Sequence, residues 1–176
     1  INKKSDRKFF ILLRYVILLL LIFSLPLIYK IFTPLTIYPT KFLLDLFYDV
    51  ILSNSTVIID SKTFIEIIPA CIAGSAYLLL LIINLSVPMK LKRRLYSIFL
   101  SFLILLDLNI LRIFLLSVLY HENFIFFDLT HKFIWYFLST IFVVLIWFFI
   151  VKLFNIKEIP VYTDIRYLIK ESELFK

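Results

Sequence analysis

The chain has 176 residues, 62% of them hydrophobic, and a mean hydropathy of +1.02. A soluble domain of this length is nearer half apolar and has no interior large enough to hide the excess, so a soluble globular fold is excluded. A single glycine and twenty phenylalanines exclude a collagen-like or disordered chain, and one cysteine, Cys71, excludes an internal disulfide. The formal charge of +7 would suggest nucleic acid in a soluble protein. Here most basic residues flank apolar runs, where they set topology and meet anionic headgroups, so no nucleic-acid partner is expected. The Ile-, Lys- and Phe-rich composition fits an AT-rich genome.

A spanning helix needs about 20 mostly apolar residues. Four stretches qualify, about 10–32, 70–88, 95–119 and 131–154. The expected fold is therefore an all-α polytopic membrane protein, a single membrane domain over 1–154 with a tail at 155–176. The first run lacks a small-residue cleavage site after it and reads as an anchor, with a kink expected at Pro26. Lys3, Lys4, Arg7 and Lys8 precede it. Lys90, Lys92, Arg93 and Arg94 lie between the second and third spans, and Lys157, Arg166 and Lys170 follow the fourth. By the positive-inside rule both termini are expected in the cytoplasm of a plasma-membrane protein, with residues 33–69 and 120–130 facing outward.

Within 33–69, Lys41, Asp45 and Asp49 fall at i, i+4 and i+8 among apolar residues, which predicts an interfacial helix over 40–52. The β-branched runs at 56–68, either side of Asp60-Ser61-Lys62, predict a short hairpin or extended segment. Asn54-Ser55-Thr56 is either a glycosylation sequon or a plain polar turn.

Polar groups inside a span are costly, and the third span contains Asp107, Asn109 and Arg112. An arginine at mid-membrane costs about 2.5–3.5 kcal/mol on insertion scales, and it cannot shed its proton. Arg112 would lie about 10 Å deep, at ~1.5 Å per residue from the outer end, with Asn109 sharing its face. Asp107 falls about 140° away around the helix, which argues against an Asp107–Arg112 pair. Cys71 opens the second span just after Pro69, where the helix N-terminus favours a thiolate. Gly74 and Ser75, at i+3 and i+4, keep that face small enough for a helix or peptide to approach. His131 opens the fourth span and His121 lies in the loop before it. Two histidines without a carboxylate or thiol at ligand spacing make a poor metal site, so neither metal nor cofactor is expected. Cys71, Arg112 and His131 thus come from three spans and one leaflet, the set a membrane cysteine acyltransferase would need.

Over about residues 56–150 the chain resembles the archaeosortase/exosortase family. The resemblance rests on Ala70-Cys71 with small residues following, Asn109-Ile110-Leu111-Arg112 in the next helix, and His131 opening the one after. Family members commonly carry a small hydroxyl residue and then glycine directly after the cysteine. Here Ile72 and Ala73 stand there and the glycine is displaced to Gly74, as in a compact, divergent member. The resemblance implies an enzyme acting on exported proteins with a C-terminal hydrophobic sorting signal, and a lipid acceptor. Cys71 would be the nucleophile, Arg112 the stabiliser of thiolate or oxyanion, His131 the acid and base, and Asn109 the residue orienting Arg112. Two other classes stay open: a non-catalytic membrane module with a structural Arg112, and a small carrier using Arg112 in an anion path.

Overall fold

A computed structural model describes residues 3–87 and 89–156, with side chains from residue 12 onward. The tail expected at 155–176 therefore lies almost wholly outside the described residues. Four helices are long and apolar enough to cross a membrane: Leu12–Asp45, Pro69–Ser86, Leu91–His121 and Phe127–Leu153. The chain is a multi-pass, mainly α-helical membrane protein.

The first span joins α1 (Lys3–Leu20) to α2 (Leu25–Asp45) through a 3-10 turn at Leu21–Ser24. Pro26 has no N–H to offer the Ile22 carbonyl, and Leu25 N–H takes that acceptor through a tighter bond instead. The span runs thirteen residues beyond the expected boundary at 32, passing through Pro34 and Pro39. Prolines are tolerated here because neighbouring helices support the backbone around them. The interfacial helix expected over 40–52 is accordingly corrected. Lys41 and Asp45 do pair on the last turn of α2, but Asp49 lies beyond the helix, just before a strand.

Three short antiparallel strands follow, β1 (Val50–Ser53), β2 (Thr56–Ile59) and β3 (Thr63–Glu66), in the order β1-β2-β3. The β2–β3 hairpin is the one read from 56–68, with Asp60 and Ser61 taking positive φ in its turn. Asn54 forms the β1–β2 turn at φ 55°, a conformation asparagine adopts more readily than most residues. The sheet is fastened to the third span. His121 Nδ1 lies 2.9 Å from Thr63 Oγ1, and its Nε2 lies 3.2 Å from Asp60 Oδ2. Tyr48 donates to Glu122 (3.0 Å) and sets its ring edge-on to His121. Burial and the neighbouring carboxylates Glu122 and Asp60 push the Tyr48 hydroxyl above its ordinary pKa, so it remains a donor.

The second span is broken. α3 (Pro69–Ile72) stops at Ala73, which is left-handed at φ 60°, and α4 (Gly74–Ser86) begins afresh. α5 (Leu91–His121) packs against α2, α4 and the last span, so it is the central post. That last span comprises α6 (Phe127–Phe133), a π-helical turn (Ile134–Leu138) and α7 (Ser139–Leu153). The core is aromatic where α2, α4 and α5 meet: Tyr77 stacks on Phe32 at 3.8 Å and meets Phe102 edge-on. Toward the end away from the sheet, α4 and α5 are joined by buried polar groups. Asn84 donates to Leu80 O (2.8 Å) and accepts from Ser97, while Ser101 donates back to Ser97 O (2.6 Å). Asn84, Ser97 and Ser101 are fully buried, so they act as helix glue and line no aqueous path.

Gly74 is not the residue at positive φ. It is needed because a Cβ there would sit 2.5 Å from the Tyr29 ring of α2. Gly74→Ala is expected to lower stability by about 1–3 kcal/mol through overpacking, read as an earlier thermal melt in detergent. His121→Ala removes both sheet contacts and is expected to cost about 1–2 kcal/mol, with faster amide exchange confined to 50–66.

Candidate active site

The left-handed turn at Ala73 dictates the local chemistry. In an unbroken helix the Cys71 carbonyl would accept from the N–H four residues on. The break at Ala73 takes it out of that ladder, and side chains of α5 replace the lost donor. Asn109 Nδ2 donates to Cys71 O at 2.9 Å and Arg112 Nη2 donates to the same oxygen at 3.0 Å. The i, i+3 spacing that put Asn109 and Arg112 on one face is thus used to clamp one carbonyl. An alanine at positive φ is strained by about 1–2 kcal/mol, and two hydrogen bonds, one of them charge-assisted, offset that cost.

Arg112 continues across to the last span. Its Nη1 donates to Ser139 Oγ at 2.8 Å, and Ser139 Oγ donates to Ile134 O at 3.0 Å. Ile134 opens the π-helical turn, where the looser i→i+5 pattern leaves its carbonyl shared between the Ser139 N–H and hydroxyl. The guanidinium Nε is buried and, among the described residues, has no hydrogen-bond partner. Arg112 therefore ties three spans together. Asp107 takes no part in this: it is exposed on another face of α5, as its spacing from Arg112 requires.

Cys71, Arg112 and His131 line one cavity of about 300 Å³ at the sheet end of the helices. Its walls are β3 and the segment after it (Phe64–Ile68), α5 and the start of the last span with Phe127, Ile134 and Trp135. His131 stacks on Phe127 with ring centroids 5.6 Å apart and meets Trp135 edge-on at 6.0 Å. Among the described residues it has no hydrogen-bond partner. The cysteine is half-buried, and its N–H donates to Ile68 O at 2.8 Å. Because α3 is only one turn long, the aligned dipole expected to favour a Cys71 thiolate is confined to that turn. Arg112, held on the backbone of Cys71 itself, is the fixed positive charge beside the thiol.

Of the supporting residues, Asn109 joins the site through the Cys71 carbonyl, while Gly74 and Ser75 point elsewhere. Gly74 faces Tyr29, and Ser75 lines a second cavity of about 350 Å³ with Ala70, Ala73, Ala76, Ser139 and Thr140. Arg112 forms part of the wall of both cavities. Two contributors escaped the sequence reading. Glu66, at the end of β3, brings a carboxylate to the cavity of Cys71 and His131. Ser139 was hidden because a lone serine in an apolar span has no spacing signal. Among the described residues no group of three or more His, Cys, Asp or Glu side chains is placed to hold a metal ion.

A lysine at 112 keeps the charge but has a single nitrogen, which cannot bridge Cys71 O and Ser139 Oγ together. Arg112→Lys is expected to cost about 1.5–3 kcal/mol and Ser139→Ala about 1 kcal/mol, measured as thermal melts in detergent. Equal melts for both variants and wild type would show that the bridge contributes nothing. No protein family, curated protein or solved structure matches the chain.

Proposed function

We propose that the chain is a membrane-embedded cysteine peptidase or transpeptidase of the archaeosortase/exosortase kind. It cleaves exported proteins at a C-terminal hydrophobic sorting signal and transfers them to a lipid acceptor. The observation that carries this reading is the single cavity lined by Cys71, Arg112 and His131, delivered by three separate spans. A second feature supports it. Ala73 stands where the resemblance puts a glycine and adopts a left-handed φ of 60° that glycine would take freely.

In this reading the cavity opens on the outer face of the plasma membrane, with both termini cytoplasmic. The Cys71 proton passes to His131, and the sulfur attacks the peptide carbonyl carbon of the substrate. Arg112, on the wall of the cavity, balances with its permanent charge the charge that develops on the carbonyl oxygen. The C–N bond then breaks, the amine leaves with the proton from His131, and a thioester remains on Cys71. A hydroxyl of a lipid headgroup gives its proton to His131 and attacks the thioester. The C–O bond forms, the C–S bond breaks and the thiol regains its proton. The aromatic and aliphatic walls of the cavity suit an apolar peptide entering from the bilayer.

One observation favours a second reading, a non-catalytic membrane module. Arg112 is already committed to Cys71 O and Ser139 Oγ, as a purely structural arginine would be. A processing assay in membranes separates the two, using a protein with a C-terminal hydrophobic tag. Wild type should remove the tag, Cys71→Ala should remove none, and His131→Ala should be slower by about 10²–10⁴-fold. Equal processing by wild type and a correctly inserted Cys71→Ala would leave the thiol as packing and favour the module.

A further inference from the structure

Two charged residues near the middle of the membrane-spanning helices, Asp107 and Lys30, take no part in the site. Asp107 is exposed on α5 in the middle of a stripe of exposed apolar residues, Phe99, Leu103, Leu111 and Leu115. Lys30 is exposed on α2 between Leu27 and Ile31, which are themselves exposed. Among the described residues neither has an ion-pair or hydrogen-bond partner. Charged side chains within spans are rare and costly, and they are kept where they pair with one another or line a polar path.

Their depths agree. α2 and α5 end side by side at the sheet, where the Tyr48 and His121 rings are 4.8 Å apart. Lys30 lies fifteen residues before the end of α2 at Asp45, about 22 Å at ~1.5 Å per residue. Asp107 lies fourteen residues before the end of α5 at His121, about 21 Å on the same rise. The two charges therefore sit within one helical turn of the same level, near the middle of the helices.

They are turned away from each other within one chain. Lys30 is two residues from both Ile28 and Phe32, which are buried, so it falls about 160° around α2 from that inward stripe. Asp107 occupies the outward stripe of α5. Other basic side chains in the described spans fit less well as its partner. Arg112 is held at Cys71 and Ser139, and Lys41 is paired with Asp45. Arg14 lies sixteen residues before Lys30 on the first span, more than four turns from that level, and Lys92, Arg93, Arg94, Lys132 and Lys152 lie near helix ends.

From these positions we infer that copies of this chain associate side by side in the bilayer, Lys30 of one copy pairing with Asp107 of the next. Copies inserted in the same direction hold equal residues at equal depth, so a matched level is the condition such a pair requires. Opposite charge at that level supplies the specificity, and the flanking apolar stripes supply the packing.

The test uses two differently tagged full-length chains expressed together, solubilised in mild detergent and captured through one tag. Wild-type copies should capture each other. Lys30→Asp alone and Asp107→Lys alone should each lower capture at least fivefold by placing like charges opposite each other. The double variant carrying both substitutions should restore it, as should mixing one single variant with the other. Thermal melts of each variant report whether it is folded. The inference is overturned if wild-type copies do not capture each other, or if the single variants capture normally. It is equally overturned if a double variant that melts like wild type fails to restore capture. None of these readouts depends on Cys71 chemistry.

Discussion

One backbone oxygen organises this molecule. The Cys71 carbonyl is expelled from its helix by the left-handed Ala73, and an unpaired carbonyl in a membrane interior is costly. Asn109 and Arg112 satisfy it together, and Arg112 carries the connection on to Ser139 and the Ile134 carbonyl. A break in one span, a polar pair in the next and a π-helical turn in the last are therefore parts of one arrangement. Each would be a defect alone. Together they leave few polar groups without partners and fix the cysteine against a permanent positive charge.

The sheet gives the same site its roof. β3 leads directly to Pro69 and Cys71, and residues 64–68 form one wall of the cavity. Its position depends on His121, which the sequence offered as an unremarkable loop residue. The imidazole meets Thr63 and Asp60 through its two nitrogens, so the end of α5 holds both the contact with the sheet and, two and a half turns away, Arg112. The element that sets the cavity floor thereby also sets its roof. At the other end the buried Asn84, Ser97 and Ser101 lock α4 to α5.

The candidate site was legible because its residues are expensive. A cysteine after Pro69, Asn109 three before Arg112, and His131 at a helix start stand out against apolar spans. What could not be read was how they meet. Gly74 was read as keeping its face small for a close approach, but nothing local named Tyr29 of a distant helix as what approaches, or Ala73 as the left-handed residue beside it. The first span was expected to end near residue 32, where the uninterrupted apolar run gives out. Packing against α4 and α5 keeps it helical to Asp45 and removes the interfacial helix expected there.

Composition and hydropathy by themselves determined the membrane fold and the four spans, and the β-branched runs either side of 60–62 narrowed that segment to a hairpin or an extended chain. These follow from burial in lipid and from local turn chemistry, neither of which needs a knowledge of neighbours. The tertiary structure alone decided that Cys71, Arg112 and His131 line one cavity, that Glu66 and Ser139 join them, and that Gly74 and Ser75 do not. It also turned Lys30 and Asp107 outward. The physical reason is the same in each case. A side chain's partner is set by the rotation and depth of helices far apart in sequence, and apolar spans carry almost no local signal of how they are rotated against each other.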